Sequence, residues 1–159
     1  MGKKGKKCYC GNKGCLETYI SEENLANDFR QTAAKLTDIA LSPKALTKKN
    51  DRELVKFIMA QFRDTHPVVR KYVTQKMEFL SLSIANLVKL MELDYIVLGG
   101  YLKYGGQNIL DLIQRQVKPH LHPVQQTNLT IVFGKVDRAA QLGATVTLID
   151  ALFELPLSV

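Results

Sequence analysis

The 159-residue sequence predicts an α/β protein, rich in helix and carrying two buried parallel strands. Three observations lead there. Through much of the chain, apolar residues recur at three- and four-residue steps, which is helical spacing. Two short apolar runs, Tyr95-Ile96-Val97-Leu98 and Leu129-Thr130-Ile131-Val132-Phe133, suit strands covered on both faces. One helical pattern separates these runs and another follows the second, an alternation that implies parallel pairing. A hydrophobic content of 46% is enough for a packed core, and the length is that of one domain or less.

Taken in order, residues 16–40 read as helix, with Leu25, Phe29, Ala33 and Leu36 on one face. Ser21 followed by Glu22 and Glu23 starts a turn of it, carboxylates near the positive end. Ser42-Pro43 interrupts the pattern, because proline disfavours helix in the residue before it. Asn50-Asp51-Arg52-Glu53 resembles a capping box and opens a helix over residues 51–63, with Leu54, Ile58 and Phe62 on one face. Thr65-His66-Pro67 is the next start signal. From it Val69, Val73, Met77, Leu80, Ile84, Leu87 and Met91 mark a helix over 67–92, broadened by Tyr72, Phe79 and Leu90. After the first strand, Ile109, Leu112, Ile113 and Val117 mark a helix ending near Pro119. Gly134 breaks the second strand, Asp137 caps a last helix carrying Leu142, Val146, Ile149 and Phe153 inward, and Pro156 ends it. Two strands are few for a sheet, so further strands are expected from sequence upstream.

The net charge is +7, and much of the excess is local: Lys3, Lys4, Lys6, Lys7 and Lys13 surround the cysteines. A basic end meets nucleic acid, an anionic surface or only water. No aromatic interleaving or helix-turn-helix pattern supports DNA contact within the chain. There is no apolar run long enough to cross a membrane and no apolar segment after Met1-Gly2-Lys3-Lys4 to act as a secretory signal.

All three cysteines, Cys8, Cys10 and Cys15, fall within eight residues, with Gly11 and Gly14 between them. Glycine tolerates the positive φ of a turn tight enough to converge the thiolates. Thiolate sulfur selects zinc, which in structural sites takes four tetrahedral ligands. Ordinary thiols in a mobile end and a disulfide are the competing readings. The odd count and the lack of a signal peptide point to a reducing compartment, where cysteine clusters favour metal. Elsewhere, His120 and His122 flank Leu121 near a helix end, where such residues more often cap carbonyls than bind metal, and His66 reads as a helix-start residue.

The stretch Cys8-Tyr9-Cys10-Gly11-Asn12-Lys13-Gly14-Cys15-Leu16-Glu17-Thr18 resembles the CxCGxxGCxE signature of the ROK family of repressors, open reading frames and sugar kinases. Asn86-Leu87-Val88 ahead of Tyr95-Ile96-Val97-Leu98-Gly99-Gly100, and Gln141-Leu142-Gly143-Ala144 with Thr145, resemble two further segments of that family. The resemblance runs from Lys7 to Phe153 and is most like regulators of the xylose-repressor and N-acetylglucosamine-repressor type. It implies the C-terminal part of an actin-like, ribonuclease H-like ATPase-type domain, with the N-terminal half missing. The expected parts are a zinc-binding cysteine turn (1–17), a helical segment (18–93) and a βαβα segment (94–159).

The resemblance also implies site residues. Cys8, Cys10 and Cys15 would hold zinc with a histidine whose place falls before Met1, so water or a neighbouring chain is expected to complete the tetrahedron. Glu17 would hydrogen-bond sugar hydroxyls. Gly99 and Gly100 would lie near a nucleotide's adenosine in the family's kinases, where Tyr101 replaces a third glycine and its ring is expected to crowd a nucleotide. The family's DxGxT phosphate loop and catalytic Asn-Asp segment have no counterpart here; Asn50-Asp51 matches only as a dipeptide, ahead of a helix. No catalytic residue is assigned. The expectation is a non-catalytic, sugar-sensing part of a cytoplasmic transcriptional regulator, a homo-oligomer that meets DNA through a missing N-terminal domain and touches no membrane. The alternatives are a fragment of a hexose or N-acylhexosamine kinase and a stand-alone zinc-binding interaction module.

Overall fold

The computed structural model describes residues 5–34, 46, 48–64, 66–136 and 139–154. The expectations placed on Lys3, Lys4, Leu36, Ser42-Pro43, Thr65, Asp137 and Pro156 lie outside them. Among the described residues, the helices α1 (Glu17–Ile20), α2 (Glu22–Ala33), α3 (Asp51–Arg63) and α4 (Pro67–Met91) come first. Then follow β1 (Tyr95–Leu98), a 3₁₀ segment (Gly100–Gly105), α5 (Gly106–Val117), a short 3₁₀ turn (Lys118–His120), α6 (Pro123–Asn128), β2 (Thr130–Phe133) and α7 (Ala139–Glu154).

The start signals act as the chemistry requires. Asn50 accepts from the Glu53 backbone N–H at 2.9 Å, while Glu53 accepts from the Asn50 N–H at 3.2 Å, completing the capping box of α3. His66 occupies the residue before α4, with Pro67 in its first turn. Ser21 divides what the periodicity reads as one helix. Its backbone is extended, and its hydroxyl accepts from the Asn24 N–H at 3.2 Å, so α1 ends there and α2 begins. Side-chain oxygen competes with the helical ladder at this residue, and apolar spacing does not register that.

The core lies among α2, α3, α4, the Gly100–Gly105 segment and α5. Phe29, Leu54, Ile58, Met77, Ile109 and Ile113 are essentially buried, each contributing on the order of 1.5–3 kcal/mol. Phe29 meets Tyr72 edge-on at 5.1 Å between centroids, and the Tyr72 hydroxyl donates to the Leu25 carbonyl at 2.7 Å.

The strands pair in parallel, with Tyr95 opposite Thr130 and Leu98 opposite Phe133. Their burial differs from the expectation of cover on both faces. Leu98 and Ile131 point into the core, while Tyr95, Val97 and Val132 are exposed. Alternation along a strand sends neighbours to opposite faces, and α5 covers one of those faces. The inward packing expected of α7 is likewise not seen: Leu142, Val146 and Ile149 are exposed and Phe153 is 86% exposed. The described side chains along that helix are all exposed. Leu87, Leu90 and Met91 at the end of α4 are also exposed. No helix of the described residues is long and apolar enough to cross a membrane.

Candidate metal centre

The cysteines sit on a small closed loop. Lys7 and Lys13 form an antiparallel bridge, and the Gly14 N–H donates to the Lys6 carbonyl at 2.9 Å. Within the loop, the Cys8 N–H donates to the Asn12 carbonyl at 2.8 Å and the Gly11 N–H to the Cys8 carbonyl at 3.0 Å. Gly11 and Gly14 have φ of +88° and +73°, the left-handed values that make glycine necessary here.

This geometry brings all three sulfurs within 4.8 Å of one another, with Cys10 Sγ and Cys15 Sγ 3.6 Å apart. A tetrahedral zinc at about 2.3 Å from each sulfur spaces them about 3.8 Å apart, so the group fits the ion with small adjustment. Cys8 is buried, Cys15 half-buried and Cys10 exposed. The Asn12 backbone N–H, and then the Cys15 and Cys8 thiols, stabilise the Cys10 thiolate and lower its pKa. Sharing protons with Cys10 and Cys8 pushes Cys15 up to about 11. Soft, clustered, unequal thiols of this kind suit a divalent ion that displaces the remaining protons. Among the described residues the group consists of these three, and His66, His120 and His122 do not join it. His120 ends the 3₁₀ turn, and His122 begins α6, its N–H donating to Gln125 at 3.4 Å.

The loop passes directly into α1. The Cys15 carbonyl accepts from the Thr18 N–H at 3.0 Å and from the Thr18 hydroxyl at 2.7 Å. Buried Thr18 therefore fixes the first turn, from which Glu17 projects exposed to solvent. The other end of α1 is held from the far side of the sequence. Tyr101 donates its hydroxyl to the Ile20 carbonyl at 2.6 Å. Burial, reinforced by the charges of Glu22 and Glu17, pushes this phenol well above its ordinary value, which keeps it a donor.

Gly99 and Gly100 follow β1, Gly100 with φ of +66°, and a methyl built on either would meet nothing within 4 Å. The space over this turn is open, and the Tyr101 ring is committed to the α1 side. Cysteine loop, Glu17 helix and glycine turn are thus tied through Thr18 and Tyr101. Spacing does not reveal either tie, although a tyrosine directly after two glycines was a visible anomaly.

The family model described as "ROK family" matches residues 1–151. The xylose repressor of Caldicellulosiruptor bescii is 25% identical over 151 residues, which is 94% of this chain and 37% of the repressor. The N-acetylgalactosamine kinase AgaK of a Shewanella species is 31% identical over 114 residues, covering 72% of this chain and 32% of the kinase. The chain thus spans about a third of the length of these relatives. Among solved structures, a ROK family transcriptional regulator, a homologue of the E. coli MLC protein, superposes with a TM-score of 0.76 at 22% identity. That match covers 96% of this chain and 37% of the regulator. A putative sugar kinase from Cytophaga hutchinsonii gives 0.67 at 17% identity, covering 94% and 48%. Both are far larger proteins of the actin-like fold, of which the two parallel strands and their helices are a part. With the family model spanning nearly the whole sequence, this chain belongs to the ROK family.

Proposed function

We propose that the chain is the sugar-sensing, zinc-stabilised C-terminal part of a ROK transcriptional regulator and is not catalytic by itself. The observation that carries this reading is the cysteine group, whose sulfurs converge within 4.8 Å two residues before Glu17. Alignment with xylose repressors over almost the whole chain supports the regulator class. In this reading Cys8, Cys10 and Cys15 hold zinc, which cross-links the loop as a structural ion. Thr18 passes that order to α1, and Glu17 accepts hydrogen bonds from sugar hydroxyls with less entropy to lose than on a free loop. The effector is a carbohydrate. DNA contact and homo-oligomerisation belong to the intact protein, with DNA met through a segment outside this one.

Two measurements test it. Metal analysis of protein purified without chelator, thiols reduced, should find zinc; less than about a tenth of an ion per chain overturns the metal assignment. In a full-length protein containing this segment, calorimetry with D-xylose and N-acetyl-D-glucosamine should show Glu17→Gln weakening sugar binding with zinc retained. Cys10→Ser should lose both. Unchanged sugar affinity in a zinc-free Cys10→Ser protein would leave Glu17 positioned by something else.

A kinase origin is the second reading. It is favoured by the open space over Gly99 and Gly100 and by kinases among the relatives. A coupled assay with ATP and common hexoses separates the two. We expect no turnover, because a phosphate cradle and a base are what phosphoryl transfer requires and neither motif is in this sequence.

A further inference from the structure

Two residues before Cys8, Lys6 forms the neck of the cysteine loop: its carbonyl receives the Gly14 N–H at 2.9 Å, and Lys7 bridges Lys13 next to it. Whatever holds Lys6 therefore holds both strands of the neck. Its ammonium ion-pairs with Oδ1 of Asp28 on α2. The other oxygen of the same carboxylate, Oδ2, accepts from Lys76 on α4 at 2.5 Å. Asp28 and Lys76 side chains are each 16% exposed, and Lys6 is 48% exposed. Lys76 also lies 5.6 Å over the ring of Tyr72, whose hydroxyl is fixed on Leu25. Asp28 is thus a two-sided clamp. One oxygen is anchored in the packed body and the other reaches out to the loop. Burial disfavours its charge, but Lys6 and Lys76 outweigh that and hold its carboxyl below the ordinary range.

We propose that Asp28 is a positioning residue for the metal centre, fastening the neck of the cysteine loop to α2 and α4 and slowing loss of the ion. The idea rests on the zinc reading above but has a readout independent of metal. A partner that restrains a ligand loop from outside the coordination sphere acts on affinity without touching the ion. The Lys6 arm is half-exposed, so the effect on the loop should be modest and salt-sensitive; the more buried Asp28–Lys76 arm holds the carboxylate in place for it.

The test uses zinc-loaded protein challenged with excess chelator, with zinc release followed by an indicator dye. Amide exchange at Cys8 and Gly14 is followed in parallel. Lys6→Ala should release zinc about threefold faster and expose the Gly14 amide, without shifting the thermal transition of the helical body. Asp28→Asn should also release it about threefold faster, because Asp28 reaches the loop through Lys6. Lys6→Arg should restore the slow rate, and raised salt should speed release from the parent but not from Lys6→Ala. Should Asp28→Asn fail to fold, Lys6→Ala decides alone. Unchanged release and unchanged Gly14 exchange in folded Lys6→Ala overturn the proposal. If the parent protein holds no zinc, the metal reading fails instead, and Gly14 exchange by itself decides whether the clamp exists.

Discussion

Helices α4 and α7 show the same apolar spacing in sequence and have opposite fates in the structure. Val69, Val73, Met77 and Ile84 of α4 are buried, whereas Leu142, Val146, Ile149 and Phe153 of α7 are exposed. The difference is one of partners. α4 packs on α3 and α5, while the described side chains of α7 are exposed. An apolar stripe states a demand for cover and does not say that the cover lies in the same 159 residues. The sheet repeats the lesson in miniature, with Ile131 buried and its neighbour Val132 exposed.

Truncating each region sharpens the contrast most. Phe29→Ala should cost about 3–5 kcal/mol in urea unfolding, through lost burial and a cavity beside Tyr72. Phe153→Ala should stay within about 0.5 kcal/mol. Equal costs would mean that α7 is packed in solution. Glycine positions give a second pair. A methyl on Gly105 would lie 2.2 Å from Cγ1 of fully buried Ile109, so Gly105→Ala should destabilise by about 1–3 kcal/mol. Gly143→Ala, on the open surface of α7, should instead raise helicity, by about 0.5–1 kcal/mol of helix stability, in circular dichroism.

Smaller effects test the ties between regions. Tyr101→Phe keeps the ring and removes the donor to Ile20, and should cost about 0.5–1.5 kcal/mol in denaturant unfolding. Asn50→Ala should cost about 1 kcal/mol through the cap of α3. Asp28 contributes an acid-side term whose sign is fixed by its lowered pKa. The unfolded chain binds the proton more readily, so this stabilisation is present above the ordinary value of 3.8 and lost as pH falls through the lower folded value. Asp28→Asn should therefore flatten the stability profile below about pH 4, and an unchanged acid limb would show the carboxylate unpaired in solution.

Local chemistry was legible residue by residue. The Asn50–Glu53 capping box, the His66-Pro67 start, β1 at Tyr95–Leu98 and the metal-ligand spacing of Cys8, Cys10 and Cys15 each depend on neighbours a few positions apart. The same His-Pro signal recurs at His122-Pro123, where α6 begins, and was as readable there. Ser21 was half legible: its start signal with Glu22 and Glu23 was read, while apolar spacing ran one helix through it, and its hydroxyl bond to Asn24 splits α1 from α2. Two contacts needed the folded chain. Tyr101 and Ile20 meet across 81 residues, and Asp28 and Lys76 across 48. No periodicity encodes such pairs, because their distance is set by how α1, α2, α4 and the glycine turn stack rather than by the covalent chain. Nor does composition tell a covered stripe from an uncovered one, since burial belongs to a residue and its partner together.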